Sequence, residues 1–171
     1  MDGWPTAVLV RQDDPVPDLV APALPTGSLS ILAQPVLVTS GLQLRPWQPD
    51  DVPAVVDAYA DPAIRQWHVR SMTVEEATSW VTGWRAQWEQ EAAASWAVEV
   101  DGAVAGQVGL RRVRLAEGSA ALSYWVRPAH RGRGVAPGAL AVLTRWAFTA
   151  VGLRRAELRH STRNPASCRV A

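Results

Sequence analysis

A short stretch rich in arginine and glycine is the part of this sequence best suited to bind a charged ligand. It reads RPAHRGRGVAPGAL over residues 127–140, between the strand-like run AALSYWV and the helix-like run PGALAVLTRWAFTAVG. A turn from a strand into a helix presents unpaired backbone N–H groups and the positive end of the helix dipole. Gly132 and Gly134 let the backbone approach a ligand closely, and Arg131 and Arg133 add positive charge. The stretch therefore predicts a site for a phosphate or pyrophosphate group.

Three familiar kinds of phosphate or nucleic-acid site fit this stretch poorly. A P-loop needs a lysine on the transferred phosphates, and all 17 basic side chains of the chain are arginines, so this site is excluded. A dinucleotide-binding turn reads G-x-G-x-x-G, but Pro137 stands where the third glycine belongs and Gly138 comes one position late. Segments of arginine and glycine that bind RNA are repetitive and unfolded, whereas this stretch occurs once inside a patterned domain.

The other reactive residue types do not indicate a second site. Cys168 is the only cysteine, which excludes an internal disulfide and a cysteine-built zinc site. His68, His130 and His160 lack the spacing of metal ligands, so no metal is expected. The N-terminus MDGWPTAVLV lacks the basic start of a signal peptide, and no apolar run reaches the roughly 18 residues of a membrane helix. We therefore expect a cytoplasmic protein without a membrane partner.

The two parts of the chain differ strongly in charge. Residues 1–100 contain five arginines and 13 acidic residues, whereas residues 101–171 contain 12 arginines and three acidic residues. A basic part of a chain suits an anionic ligand, and a solvated basic surface explains it equally well. A nucleic-acid-binding domain stays open as the weakest alternative, and nucleic acid is not the partner that we expect.

Hydrophobic patterning divides the chain into an arm and a domain. Residues 1–39 are rich in proline and lack sustained periodicity, which predicts an extended N-terminal arm with a short strand near SILAQPVLV. Over residues 40–171, LQLRPW predicts a strand and QPDDVPAVVDAYA a helix, and Thr73 with Glu76 forms a capping box that starts a second helix. SWAVEV and AVAGQVGLRRVRL predict a hairpin through Asp101-Gly102, and AALSYWV predicts the next strand. RAELRHS predicts the last strand, and NPAS begins a last helix.

The order of these elements predicts the α/β class, α+β in its details, with helices packed on one mixed sheet. It runs strand, helix, helix, three antiparallel strands, helix, strand, helix. In the helix after Thr73, Trp80, Trp84 and Trp88 are four residues apart and lie on one side. This spacing predicts a buried stripe against the sheet; the alternative is that one of them, with Trp67 and His68, lines a substrate pocket.

Three motifs of this sequence resemble those of the GNAT N-acetyltransferase superfamily, and they occur along the chain in the order expected for that superfamily. They most resemble its RimJ/RimL-like branch, which acetylates the N-termini of ribosomal proteins. RGRGVA at residues 131–136 resembles the [Q/R]-x-x-G-x-[G/A] acetyl-coenzyme A motif. LRPWQPDDVPAVVDAYADPAI resembles the opening strand and helix of that branch, and AELRHSTRNPASCRV resembles its late strand followed by N-x-x-S. The resemblance covers residues 41–171. It implies a GNAT-like central, mostly antiparallel sheet with splayed strands and flanking helices.

The resemblance implies that acetyl-CoA is the cosubstrate. Its pantetheine arm would lie between two splayed strands, here residues 120–127 and 154–161, and its pyrophosphate on the N–H groups of residues 131–136. Asn164, from the N-x-x-S motif, would bind the pantetheine arm, a role compatible with that of a helix N-cap. The residues implied to bind the cofactor are Trp125, Val126, Arg127, Arg131, Gly132, Arg133, Gly134, Val135, Ala136 and Asn164.

The resemblance also implies direct attack by an amine, without an acyl-enzyme. The catalytic residue would be Ser167, which would help the thiolate to leave; an ordinary place in the first helical turn explains Ser167 equally well. A backbone N–H near residues 125–127 would bind the oxyanion, for which we expect the strand to bulge there. Cys168 is expected to be a small core residue.

The sequence departs from the family pattern at two places. Ala121 stands where many relatives have the glutamate of E-I-G-Y-W, and the candidate replacements for a base are Glu99, His68 and His160, of which His160 is expected to be buried. The sequence ends at NPASCRVA, one turn into the last helix, so the usual C-terminal strands would be lacking. The exposed sheet edge expected from this favours association, and a homodimer stays open.

Two functions follow, in order of preference. The first is an acetyl-CoA-dependent N-acetyltransferase that acts on a primary amine, either a protein N-terminus or a small molecule. The second is a non-catalytic acyl-CoA-binding module of the same fold, which the missing carboxylate and the short C-terminus favour.

Overall fold

The computed structural model describes residues 24–39, 41–68 and 71–171, so residues 1–23 of the predicted arm lie outside the described residues. The strands are β1 (Leu37–Thr39), β2 (Leu42–Arg45), β3 (Ala94–Val100), β4 (Ala103–Arg114), β5 (Ser119–Val126) and β6 (Arg155–Leu158). The helices are α1 (Val52–Ala60), α2 (Pro62–His68), α3 (Val74–Glu89), α4 (Val135–Trp146) and α5 (Pro165–Val170).

The six strands form one mixed sheet in the order β1-β2-β3-β4-β5-β6. All neighbours are antiparallel except β5 and β6, which are parallel. Asp101 and Gly102 both have positive φ, 51° and 76°, so the β3–β4 hairpin turns where it is predicted. The β5–β6 ladder ends at Leu122 and Leu158, while β5 continues to Val126. The predicted fold, a mostly antiparallel sheet with two splayed strands, is confirmed.

The helices between β2 and β3 begin at clear sequence signals. Thr73 N–H donates to Glu76 Oε2 at 2.8 Å and Glu76 N–H donates to Thr73 Oγ1 at 3.2 Å, which confirms the predicted capping box. Helix α2 is not predicted from the sequence. Asp61 adopts an extended conformation that ends α1, and Pro62 begins α2 at once, with Asp61 Oδ1 accepting the Ile64 N–H at 3.0 Å.

Two hydrophobic clusters hold the helices on the sheet. The first lies between the sheet and α4, and the second joins α1, α2 and α3 to Trp125. Trp84 and Trp88 are buried, as the stripe predicts, and Trp80 is half-buried against the second cluster. The three tryptophans thus serve packing, and Trp80 and Trp84 also line a cavity between α1, α3 and β4.

The described part of the predicted arm, residues 24–39, packs against the first cluster. Leu29 is fully buried, and the indole N–H groups of Trp88 and Trp96 donate to the carbonyls of Leu32 and Pro35 at 2.9 and 2.8 Å. Backbone groups of this segment are therefore satisfied by side chains of the sheet and α3. None of the helices in the described ranges is both long and apolar enough to cross a membrane.

Candidate active site

A cavity of about 560 Å³ lies where β5 and β6 diverge, and we call it the β5–β6 cavity. Its walls come from α2, the end of β5, the loop of residues 127–134 (the glycine loop), the start of α4, and α5. This volume falls within the range of about 300–1,000 Å³ that small-molecule sites occupy. It brings together most of the predicted site residues, namely Trp125, Val126, Arg131, Gly132, Gly134, Val135, Ala136, Asn164 and Ser167.

Two of the predicted cofactor-binding arginines lie outside this cavity. Arg127 forms an ion pair with Asp57 and donates to the Val104 carbonyl at 3.0 Å, and it lines a separate cavity. Arg133 lies on another surface, with its guanidinium 3.6 Å from the Asp101 carboxylate. The spacing of the arginines in the sequence does not reveal this, because each one faces a different element after the loop folds.

Arg131 does line the cavity, but its guanidinium is already engaged. Its Nη2 donates to Asp61 at 2.6 Å and its Nε donates to the Val126 carbonyl at 3.1 Å. Burial raises the pKa of the Asp61 carboxyl, but the hydrogen bonds from Arg131 and from the N–H of Ile64 outweigh it, so the net pKa lies below the ordinary value. Arg131 thereby ties the glycine loop to α2.

The glycine loop presents its backbone to the cavity. Gly132 and Gly134 have φ values of 73° and 74°, and a Cβ built on either would meet no heavy atom within 4 Å. In the described part of the chain, the N–H groups of residues 132–136 have no hydrogen-bond acceptor, whereas Arg131 N–H donates to the Pro128 carbonyl. Successive free N–H groups at a helix start form a concave site for an anion.

The regular backbone of β5, which has no bulge here, directs two N–H groups into the gap between β5 and β6. Arg127 N–H donates to the Ala105 carbonyl at 2.9 Å, and the β4–β5 register is regular up to Val126. Because bonding alternates along an antiparallel ladder, Trp125 faces β4, whereas Tyr124 and Val126 point their N–H groups to the β6 side. The predicted bulge near residues 125–127 is therefore wrong, since the divergence of β6 already leaves these groups unpaired.

The Tyr124 side chain is a site residue that the sequence did not single out. Its hydroxyl is buried and lines the cavity with Ser167, whose hydroxyl lies near it but outside the geometry of a hydrogen bond. Burial raises the pKa of the Tyr124 phenol, and the neighbouring Ser167 hydroxyl offsets only part of this, so the phenol is protonated at neutral pH. His130 has a buried, unpartnered Nδ1 in the same wall. Alternation along β5, which separates Tyr124 from Trp125, was the available signal.

Helix α5 places Asn164 and Ser167 at the cavity. Asn164 Oδ1 accepts the Ser167 N–H at 3.1 Å, so Asn164 is the N-cap of this helix. His160 and Cys168 lie outside the cavity lining, with Cys168 Sγ 3.6 Å from His160 Nδ1. Both are exposed, so the predictions that they are buried are wrong. β6 ends at Leu158, and the chain leaves the sheet before it reaches them.

Of the three candidate bases, only His68 lines the β5–β6 cavity. Glu99 accepts a hydrogen bond from Arg45 Nε at 2.7 Å and lines a different cavity. The hydrogen bonds that Arg45 donates to Asp51 chiefly raise the pKa of Arg45, and its bond to Glu99 adds to this against the opposing effect of burial, so these three groups form one charged network. His68 packs edge-on against Tyr59, with the ring centroids 5.8 Å apart.

Comparison with known proteins decides the family. The sequence model of the acetyltransferase (GNAT) domain matches residues 42–171, which is most of the chain. The chain belongs to the GNAT acetyltransferase family. Among the curated proteins, no sequence matches the chain significantly.

Solved structures agree with the GNAT assignment. Mycobacterium smegmatis RimJ in complex with CoA-disulfide is 30% identical, with a TM-score of 0.68 over 80% of this chain and 71% of that chain. A Salmonella typhimurium acetyltransferase that modifies the N-terminal serine of ribosomal protein L7/L12 is 21% identical, with a TM-score of 0.71 over 80% and 81%. The microcin C7 self-immunity acetyltransferase MccE, in complex with acetyl-CoA and AMP, is 15% identical, with a TM-score of 0.69 over 78% and 77%. The predicted RimJ/RimL-like resemblance is confirmed.

This GNAT chain is an N-acetyltransferase, and acetyl-CoA is the acetyl donor of its family. The β5–β6 cavity fits that donor on three observations: a cradle of free N–H groups, two N–H groups of β5 that face the gap, and the orphaned Tyr124 hydroxyl. Among the described residues, no group of three or more His, Cys, Asp and Glu side chains is placed to hold a metal ion.

Proposed function

We propose that this N-acetyltransferase moves the acetyl group of acetyl-CoA to a primary amine by direct attack in the β5–β6 cavity. One observation supports the proposal above all: three features line the same cavity. They are the N–H groups of residues 132–136 (the N–H cradle), the edge of β5 beyond its pairing with β6, and the hydroxyls of Tyr124 and Ser167. The acceptor is a protein N-terminus or a small-molecule amine. One similar structure, which modifies the N-terminal serine of a ribosomal protein, supports the first of these acceptors.

Distinct parts of the cavity would hold distinct parts of acetyl-CoA. The N–H groups of residues 132–136 would bind the pyrophosphate, with the α4 dipole adding positive potential. The N–H group of Val126 would pair with the pantetheine amides as another strand does, and the Val126 carbonyl, which already accepts from Arg131 Nε at 3.1 Å, has a second lone pair for the same purpose. The Asn164 side chain, which lines the same cavity, would donate its amide N–H. When bound, acetyl-CoA supplies a thioester whose carbonyl carbon gains the amine and whose sulfur leaves as the thiol.

Three groups of the chain would assist the transfer. The Tyr124 N–H donates a hydrogen bond toward the carbonyl oxygen, where negative charge develops. The Ser167 hydroxyl donates a proton toward the sulfur, with the protonated Tyr124 phenol beside it. His68 would accept the proton that the amine releases, since it is the one of Glu99, His68 and His160 that lines this cavity.

Replacing Ser167 by alanine tests its assigned role. We expect Ser167→Ala to lower kcat about 10-fold, less than the roughly 100-fold or more that a general acid usually contributes, because a thiol with a pKa near the value of about 8.5 for free cysteine already leaves readily as the thiolate. The KM for acetyl-CoA should stay unchanged, and Tyr124→Phe should act in the same direction. Steady-state thiol release measures both parameters. Ser161→Ala, which lies outside the cavity lining, is the matched control, and an unchanged kcat in Ser167→Ala would contradict the assignment.

A direct assay decides between transfer and mere binding. The protein is incubated with acetyl-CoA and a panel of amines that includes a peptide with an N-terminal serine, and both thiol release and the acetylated amine are measured. We expect a stoichiometric amide product for at least one amine. Tight acetyl-CoA binding without turnover for every amine would instead favour the non-catalytic acyl-CoA-binding module.

A further inference from the structure

Helix α5 turns one face toward the β5–β6 cavity. The residues of this face that line the cavity are Ala166, Ser167, Arg169 and Val170. They are one, three and four positions apart, which places them on a single side of a helix. The face that carries the Ser167 hydroxyl therefore also brings a guanidinium, that of Arg169, to the same cavity.

Two arginines line the β5–β6 cavity, and they differ in what their guanidinium groups contact. That of Arg131 is engaged by Asp61 and by the Val126 carbonyl, at 2.6 and 3.1 Å. Arg169 is exposed, and within the described ranges its guanidinium has neither a hydrogen bond nor an ion pair. None of the described residues that line this cavity is Asp or Glu. The positive charge of Arg169 is therefore available to an anionic group of a ligand.

Acetyl-CoA carries negative charge at two places, its pyrophosphate and the 3′-phosphate of its ribose. The ribose separates these two anions, so they need two sites. The N–H cradle of residues 132–136 suits the pyrophosphate, and Arg169 belongs to a different wall of the cavity. The 3′-phosphate is a monoester with a charge of about −1.5 to −2 and three acceptor oxygens. A guanidinium matches such a group, because it can donate two parallel N–H bonds to it.

We infer that Arg169 binds the 3′-phosphate of acetyl-CoA and thereby selects the free CoA thioester as the donor. A thioester of dephospho-CoA, or of the phosphopantetheine on a carrier protein, lacks this phosphate and leaves the guanidinium without its partner. The phosphate takes no part in the transfer, so Arg169 contributes equally to binding of the substrate and of the transition state. This inference rests on the proposed function and specifies its donor.

Binding of CoA and of dephospho-CoA tests the inference separately from catalysis. Titration calorimetry gives both affinities for the wild type and for Arg169→Gln. We expect the wild type to bind CoA about 10-fold more tightly than dephospho-CoA, as one charge-assisted hydrogen bond would give. In Arg169→Gln the affinity for CoA should fall to that for dephospho-CoA, which should itself stay at the wild-type value. In steady-state thiol release, the KM for acetyl-CoA should rise about 10-fold at an unchanged kcat.

A second arginine variant completes the experiment. Arg163→Gln, at an exposed arginine that precedes α5 and is absent from the cavity lining, should keep the preference for CoA. Equal affinity of the wild type for CoA and dephospho-CoA, or a preference that survives in Arg169→Gln, would overturn the inference. An equal loss of affinity for both ligands, in an Arg169→Gln protein of unchanged thermal stability, would place Arg169 on the pyrophosphate and also overturn it. A preference for CoA that Arg169→Gln removes, without an acetylated product from any amine, would sustain the phosphate site and refute the proposed transfer.

Discussion

Replacing Gly134 by phenylalanine is expected to weaken acetyl-CoA binding by about 100-fold or more while the fold remains intact. Gly134 has a φ of 74° and is the N-cap of α4, at the centre of the N–H cradle. A side chain there would point into open space, so it would clash with the bound pyrophosphate and not with the protein. Losing even two charge-assisted hydrogen bonds, each about 1.5–3 kcal/mol, accounts for a change of this size.

The matched control separates this effect from backbone strain. Gly102 has a φ of 76°, with no heavy atom within 4 Å of a built Cβ, and it lies in the β3–β4 hairpin and does not line the β5–β6 cavity. Gly102→Phe therefore imposes a comparable left-handed strain of about 1–2 kcal/mol and should leave CoA affinity unchanged. Titration calorimetry with CoA measures both variants. If Gly134→Phe binds CoA as tightly as Gly102→Phe, the pyrophosphate does not lie on the glycine loop.

Replacing Glu91 by alanine is expected to lower the free energy of unfolding by about 3 kcal/mol, because three backbone N–H groups lose their acceptor. The Glu91 carboxylate is 8% exposed and accepts from Gly27, Leu29 and Ser30 at 2.8, 2.7 and 3.0 Å. It thereby fixes the segment that inserts the fully buried Leu29 into the core. Urea unfolding measures the loss, and Glu89→Ala, which removes only an exposed pair with Arg85, should cost less than about 0.5 kcal/mol.

The contribution of Glu91 should also depend on pH. Burial raises the pKa of this carboxyl, but the backbone hydrogen bonds outweigh it, so the folded pKa lies below the ordinary value. Ionised Glu91 therefore stabilises the fold above the unfolded pKa of about 4.3, and that stabilisation is lost as the pH falls through the lower, folded pKa. The difference in stability between wild type and Glu91→Ala should shrink in acid. A difference that is constant from neutral to acidic pH would contradict this account.

The sequence by itself determined the elements whose signals are local. The capping box of Thr73 and Glu76, the Asp101-Gly102 turn and the glycine loop each depend on residues within a few positions of one another. The motif at residues 131–136 likewise indicated the family and its acetyl donor, because backbone N–H groups at a helix start need only the right local conformation. These features were predictable since their geometry is fixed by short-range sterics and hydrogen bonds.

Only the tertiary structure decided which side chains meet in the cavities. Arg127, Arg131 and Arg133 are alike in sequence, but they face three different surfaces, and only Arg131 lines the β5–β6 cavity. The placement of Tyr124 beside Ser167 depends on where β6 leaves β5, and that of Arg111 near His68 depends on how α2 and α3 pack on β4. These contacts are between residues tens of positions apart in the sequence. Their geometry follows from how whole strands and helices pack together, and no local sequence pattern specifies that packing.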